Sequence, residues 1–180
     1  MLTTYIKNPR TIILSIIPAT IDVESDMGLG LIKKHDNEFR RTIGVLTKVD
    51  LLKDGNIEKY LEGTQISKNL QLGYGYYGVR NRSTEESKTM TVKEGRKMEK
   101  DFFDRKYGNS LFRKRMGAEN LGTDLSEILI DHLRAHLPNV LNELKTVDRN
   151  VEERLNEIGR DFPVDETGKR SLLNLSLIHI

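Results

Sequence analysis

The chain has no cysteine, which excludes disulfides and thiolate metal sites. It has no apolar run of 18 residues, so it offers no membrane-spanning helix. It has almost no charge imbalance: the net charge is +2, although 31% of residues are charged and 37% are hydrophobic. That composition suits a chain rich in exposed helix and fits a cytosolic protein. Prolines are scarce as well, four in 180 residues, and each acts as punctuation. The length allows one domain plus an appended element. The apolar run Thr11 to Ala19 has no basic leader and starts too late for a signal peptide. Structured-looking sequence follows Met1 almost at once, the pattern expected of a chain that begins inside a domain.

What is present alternates in character. Residues 1 to 10 read as the end of a helix broken by Asn8 and Pro9. Thr11 to Ile17, stopped by Pro18, reads as a central parallel strand. Asp22, Glu24, Ser25 and Asp26 make a helix start, and that helix continues to about His35. Thr42 to Thr47 is the second strand. Asp54 and Gly55 make a turn, a short helix follows over Ile57 to Leu61, and the third strand is Tyr76 to Arg80. A polar break from Asn81 to Lys88 leads into a helix from Val92 to Phe103. Strand, helix, strand, helix, strand predicts a partial doubly wound α/β sheet.

From about Asp124 the pattern changes. Leu125, Ile128, Leu129, Leu133 and Leu137 have helical spacing, with Asp124 and Glu127 as a start. Pro138 interrupts or kinks this helix. The stripe resumes at Leu141, Leu144, Val147, Val151, Leu155 and Ile158, an amphipathic face wanting a partner helix, and Pro163 closes it. This divides the chain into an α/β part, 1–137, and a helical arm, 138–170. Residues 175–180, Leu-Ser-Leu-Ile-His-Ile, fit neither part. They resemble the translation of a sequencing-library adapter, and a non-native tail is expected there.

The second strand ends in Thr47-Lys48-Val49-Asp50. In open α/β sheets ligands sit beyond the carboxyl ends of the strands. A carboxylate there can accept two parallel hydrogen bonds from the ring N–H and exocyclic amine of guanine, a pair adenine does not offer; such bonds are short and strong. A site built on them leaves its own groups unpaired with the wrong base. The Lys48 stem can lie along the ring face. After the next strand comes Asn81-Arg82-Ser83. Adjacent parallel strands place these two loops side by side, so Asn81 can bond the base and Arg82 can cover it. The plain alternatives are a charged strand-to-helix loop and a polar turn. Two such loops together are more specific than either.

In this order the two loops resemble the dynamin superfamily of large GTPases. Thr11 to Ile17 with Pro18-Ala19 is similar to that family's segment after its Asp-x-Pro-Gly motif. Arg41 to Val45 with Thr47 to Leu51 resembles its guanine-reading strand and loop, and Asn81-Arg82-Ser83 the loop that completes the pocket. Arg115-Met116-Gly117, Leu121, His132-Leu133-Arg134 and Leu137-Pro138 resemble the end of the G domain and the next helix. The resemblance covers 1 to 160 and implies nucleotide-binding roles for Thr47, Lys48, Asp50, Asn81, Arg82 and Ser83. It makes Pro138 the hinge between G domain and bundle-signalling element. Lys53, Thr84 and Arg80 depart from the pattern, which bears on ribose contacts and dimerisation rather than on base choice.

No G-x-x-x-x-G-K-[ST] loop and no Asp-x-Pro-Gly occur in the chain. Phosphoryl transfer depends on those parts. The resemblance therefore implies an internal fragment that is inactive alone, from a parent that hydrolyses GTP with Mg²⁺ held by parts absent here. It further implies self-association through the helical stalk and a G-domain dimer. It implies a membrane surface as partner, no nucleic acid, no metal ligand in this chain, and a cytoplasmic location, peripheral on membranes or microtubule-associated. The alternatives are a helical scaffold without nucleotide turnover, and an Mx-type antiviral dynamin-like GTPase.

Three patterns read as decoys. Gly73 to Gly78 spells GxGxxG but leads into a strand, whereas a dinucleotide fingerprint leaves one. His132 and His136 share a helix face, without the glutamate of a zinc-protease motif and without a third ligand. Residues 80–115 carry twelve Lys/Arg against six Asp/Glu, a net of +6. That stretch could attract phosphates or acidic lipid, but its charges are interleaved as on a solvated helix face.

Overall fold

The computed structural model describes residues 2–52, 56–158, 167 and 170. Two compact units divide it, Met1–His132 and Leu133–Ile180. The expected Asp54-Gly55 turn, Lys53, Pro163 and the 175–180 tail lie outside the described residues.

The first unit is built on a parallel three-stranded sheet, β1 (Ile13–Pro18), β2 (Thr42–Thr47) and β3 (Tyr76–Gly78), in that order. The register pairs Ile17 with Leu46 and Leu46 with Gly78. Every residue of β2 from Thr42 to Leu46 is buried, as an apolar β-branched run between two parallel neighbours requires. α1 (Leu2–Ile6), α2 (Met27–Lys33), α3 (Glu58–Glu62), α4 (Glu86–Thr89), α5 (Val92–Tyr107) and α6 (Ala118–Ile158) complete the described helices.

The pleat sorts side chains to two faces. Ile13, Ile17, Leu46 and Tyr76 pack with Leu29 and Ile32 of α2, Leu61 of α3, and Phe103 and Tyr107 of α5. Ile43, Val45, Tyr77 and Val79 pack under Leu121, Leu125 and Ile128 of α6. Helices on both faces of a parallel sheet make this a partial doubly wound α/β domain.

The start of β2 is held by polar groups. Buried Asp36 accepts hydrogen bonds from the Thr42 hydroxyl at 2.7 Å and from the N–H groups of Arg40 and Arg41. The Arg41 guanidinium donates to the carbonyls of Asn8 and Thr11, 3.0 and 2.9 Å away, suturing the end of α1 to the entry of β1.

Several boundaries differ from the sequence reading. β1 is not buried on both faces: Leu14 is 41% and Ile16 63% exposed. It lies at an edge of the sheet, beyond the cover of α6. The polar break contains α4, with reciprocal hydrogen bonds between Ser83 and Glu86 at its start. α5 runs one turn further, to Tyr107, because Phe103 and Tyr107 are both core residues. α6 starts at Ala118, not Asp124; Gly117, at φ 98°, turns the chain directly into the helix.

In the second unit, α6 continues to Ile158 with Pro138 inside it. The ring of Pro138 removes one backbone donor, yet the bonds on either side keep the helix unbroken. Leu133, Leu137, Leu141, Leu144, Val147, Val151, Leu155 and Ile158 are exposed along it. No helix among the described residues is long and apolar enough to cross a membrane.

Candidate functional site

The three strands end at one edge of the sheet. Backbone bonds lock their exits together: Ala19 N–H donates to Thr47 O at 2.8 Å, and Val79 N–H to Leu46 O at 2.8 Å. The Thr47 hydroxyl points back to Ile17 O, 3.5 Å away.

At Lys48 the chain takes a left-handed conformation, φ 56° and ψ 37°. A residue with a Cβ pays roughly 1–2 kcal/mol for that. The strain has a result. It turns the backbone out of β2 into a short 3-10 turn over Val49–Leu51, closed by Leu51 N–H to Lys48 O. Val49 goes into the core, 1% exposed, while Lys48 and Asp50 face solvent. The Lys-x-Asp spacing thus becomes an exposed cation and an exposed carboxylate flanking a buried apolar anchor.

Beyond β3, Arg80, Asn81 and Arg82 line a cavity of about 350 Å³ together with Ser87, Val92, Gly95, Arg96 and Glu99. Arg82 is turned toward α5: its guanidinium donates to Met90 O and its stem lies against Gly95, where an added Cβ would meet Arg82 Cγ and Cδ at 2.6 Å. Ser83 bonds the first residue of α4: its hydroxyl accepts from Glu86 N–H at 3.1 Å, and its own N–H donates to Glu86 Oε2 at 2.8 Å. Glu86's carboxyl is held below its ordinary range, first by the Ser83 N–H and then by the Arg80 guanidinium. Asn81 is exposed.

The two loops meet through Arg80, one of the departures from the family pattern. Arg80 Nε lies 3.6 Å from Asp50 Oδ2, and Arg80 Nη2 lies 2.8 Å from Glu86 Oε1. The guanidinium sits 5.9 Å from the centroid of the Phe102 ring. Asp50, from the exit of β2, and Arg80, from the exit of β3, form an ion pair across the strand ends. Glu99, 4% exposed, takes the Arg80 N–H on Oε1 at 2.8 Å. The Ser83-x-x-Glu86 pattern was a visible signal for α4; nothing local marks Glu99 or the Arg80–Asp50 pair.

A second cavity, about 570 Å³, opens beside Leu51 and Leu52 at the end of the Asp50 turn; Lys48 and Asp50 line neither cavity. Ala19 to Asp22 from the exit of β1, and Leu51, Leu52, Asn56 and Tyr60, line it. Open space therefore lies at the exits of all three strands, where ligand sites of open α/β sheets are found. Gly73 to Gly78 runs into β3, with Gly75 at φ 74° in the turn before it. Among the described residues no three His, Asp or Glu side chains converge as a metal site needs.

This fold and these strand-exit loops define a partial α/β domain followed by a helical arm. The family model described as the dynamin central region matches residues 56–179. Dynamin-related protein dnm1 of Schizosaccharomyces pombe is 30% identical over 177 residues, 97% of this chain and 22% of that protein. Dynamin-B of Dictyostelium discoideum is 30% identical over 174 residues, 96% of this chain and 19% of that protein. Interferon-induced GTP-binding protein Mx1 of Equus caballus is 32% identical over 174 residues, 94% of this chain and 26% of that protein. The chain belongs to the dynamin superfamily. It spans 19% to 26% of the length of these three relatives.

Proposed function

We propose that this chain is the base-reading part of a GTPase domain, joined to the start of its helical arm. The parent protein is a dynamin-like enzyme that couples GTP hydrolysis to self-assembly and membrane remodelling. The observation that carries the reading is the convergence of the Lys48–Asp50 and Asn81–Ser83 loops at the adjoining exits of β2 and β3, bridged by Asp50 and Arg80. Family membership supports it.

In this reading Asp50 accepts the guanine ring N–H and exocyclic amine, and its exposure leaves it open to a base. The Lys48 stem covers one ring face, and Asn81 adds a hydrogen bond at the rim. Arg82 and Ser83 shape the opposite wall, Arg82 from its seat on α5 and Ser83 by starting α4. Thr47 holds the exits of β1 and β2 together beneath the base. The phosphates and Mg²⁺ are assigned no residue here, since the chain has no phosphate loop; alone it turns over no GTP. Pro138 is the hinge in the arm, and the exposed stripe beyond it is the self-association face. An Mx-type antiviral relative is the second reading, with the likeness to horse Mx1 behind it.

The test is Asp50→Asn in the full-length protein. The amide presents a different donor–acceptor pattern, so affinity should move from guanosine to xanthosine nucleotides. Unaltered GTP affinity would remove Asp50 from the pocket and end this reading.

A further inference from the structure

We propose that Arg80 is a positioning residue for Asp50, holding its carboxylate in the plane that reads guanine, and that Glu86 anchors Arg80 for that task. The inference rests on the base pocket proposed above and assigns it a part that the sequence pattern does not contain.

Asp50 sits on a single 3-10 turn with its side chain 31% exposed. A carboxylate so placed rotates unless something holds it, and bidentate recognition needs a fixed plane. Among the described residues, Arg80 is the cation at its flank, 3.6 Å from Oδ2. A carboxylate has about four lone-pair sites, so a guanidinium on one flank leaves others for the base.

Arg80 is itself fixed. Its Nη2 bonds Glu86 Oε1 at 2.8 Å, the guanidinium carbon lies 5.9 Å from the Phe102 ring centroid, and its side chain is only 14% exposed. The guanidinium is planar and rigid, so pinning one edge sets the direction of Nε. Glu86 is in turn fixed by the Ser83 N–H. The order of support runs from Ser83 to Glu86 to Arg80 to Asp50, linking the two loops through a chain of side chains.

Stability alone does not account for this arginine. Among the described residues its Nη1 is buried without a hydrogen-bond partner, which is costly. A semi-buried ion pair seldom outperforms an apolar side chain at the same place, and the preceding residue, Val79, is buried and apolar. A guanidinium is useful here for what it does to Asp50.

The experiment measures fluorescent GDP and XDP binding to the full-length protein in two backgrounds, wild type and Asp50→Asn. Arg80→Val should weaken GDP binding about fivefold in the wild-type background, the scale of one partly screened ion pair. It should leave XDP binding unchanged in the Asp50→Asn background, where the neutral amide has little attraction for the guanidinium. Glu86→Gln should give a smaller loss with the same dependence on background. The second background also controls for folding. Equal losses in both backgrounds would make Arg80 a general support of the fold and overturn the inference while leaving the pocket intact. So would no loss, or a gain in GDP affinity, which would mean that Arg80 competes with the base. If Asp50→Asn does not shift preference from GDP to XDP, the pocket itself falls and the positioning role with it.

Discussion

Glu99 Oε2 accepts a hydrogen bond from the Ala118 N–H at 3.0 Å, so the buried carboxylate of one helix caps the next. Its other oxygen takes the Arg80 N–H at 2.8 Å. One side chain therefore ties α5 to the exit of β3 and to the first turn of α6. Replacing Glu99 with leucine leaves two part-buried backbone donors unpaired. The expected loss is about 2–4 kcal/mol, read from urea unfolding. Glu99→Gln keeps one good acceptor and should lose less. A leucine variant as stable as wild type would show that water replaces the carboxylate at both N–H groups.

Gly44 sits in the middle of β2, opposite Tyr76. A Cβ there would overlap the Tyr76 ring and come within 2.8 Å of Leu72 Cδ1. An aromatic ring packed in the core cannot step aside as a chain end can. Gly44→Ala should cost about 1–3 kcal/mol by overpacking, although alanine is otherwise better than glycine in a strand. A gain in thermal midpoint would mean that the ring relocates freely.

Tyr77 donates its hydroxyl to Asp124 Oδ2 at 2.8 Å and so fastens β3 to α6. Burial first, and then this bond to a carboxylate, push its pKa up to about 12. Tyr76 is shifted in the same direction, mainly by burial. The folded state therefore holds these protons after the unfolded chain has released them. The stabilisation is complete below pH 10 and is lost as pH rises through about 12. Unfolding followed from pH 9 upward should show stability falling with pH, and Tyr77→Phe should flatten part of that slope.

α5 begins with a reciprocal cap: Thr91 Oγ1 accepts from the Glu94 N–H at 3.3 Å, and the Thr91 N–H donates to Glu94 Oε2 at 2.7 Å. Thr91→Ala should cost about 1 kcal/mol. The Glu94 carboxyl is held below its usual range, by the Thr91 N–H first and its hydroxyl second. That contribution is present above the ordinary carboxylate pKa and is lost as pH falls through the lower folded value. Acid titration of stability should therefore be shallower in Glu94→Gln.

Pro138 lies within an unbroken helix. Pro138→Ala restores one backbone donor and removes a ring clash, stabilising the helix by up to about 3 kcal/mol. If Pro138 is the hinge of the parent protein, the variant should keep basal GTP turnover and lose its stimulation by assembly. Unchanged stimulated turnover would take the hinge role from it.

The strands and most helices were legible because their signals are local. Thr42 to Thr47 is continuously apolar and β-branched, so its burial follows from its own composition. Thr91 and Glu94 spell a cap within four residues. The start of α6 was misread because Asp124 and Glu127 mimic a helix start, whereas the true start depends on Gly117 and on a carboxylate 19 positions back. Leu14 and Ile16 read as core because an apolar run does not say whether both of its faces are covered.

By itself the sequence determined which residues stand at the strand exits, since a hydrophobic run ending in Lys48-Val49-Asp50 leaves no other place for the charges. It also determined the family, through two loops in a set order. Only the tertiary structure decided that Lys48 turns through a left-handed conformation, that Arg82 is seated on α5, and that Arg80 is the arginine beside Asp50. The physical reason is range. Strand and cap signals act over a few residues, whereas an ion pair between the exits of β2 and β3 forms only when the parallel register brings Leu46 and Gly78 side by side.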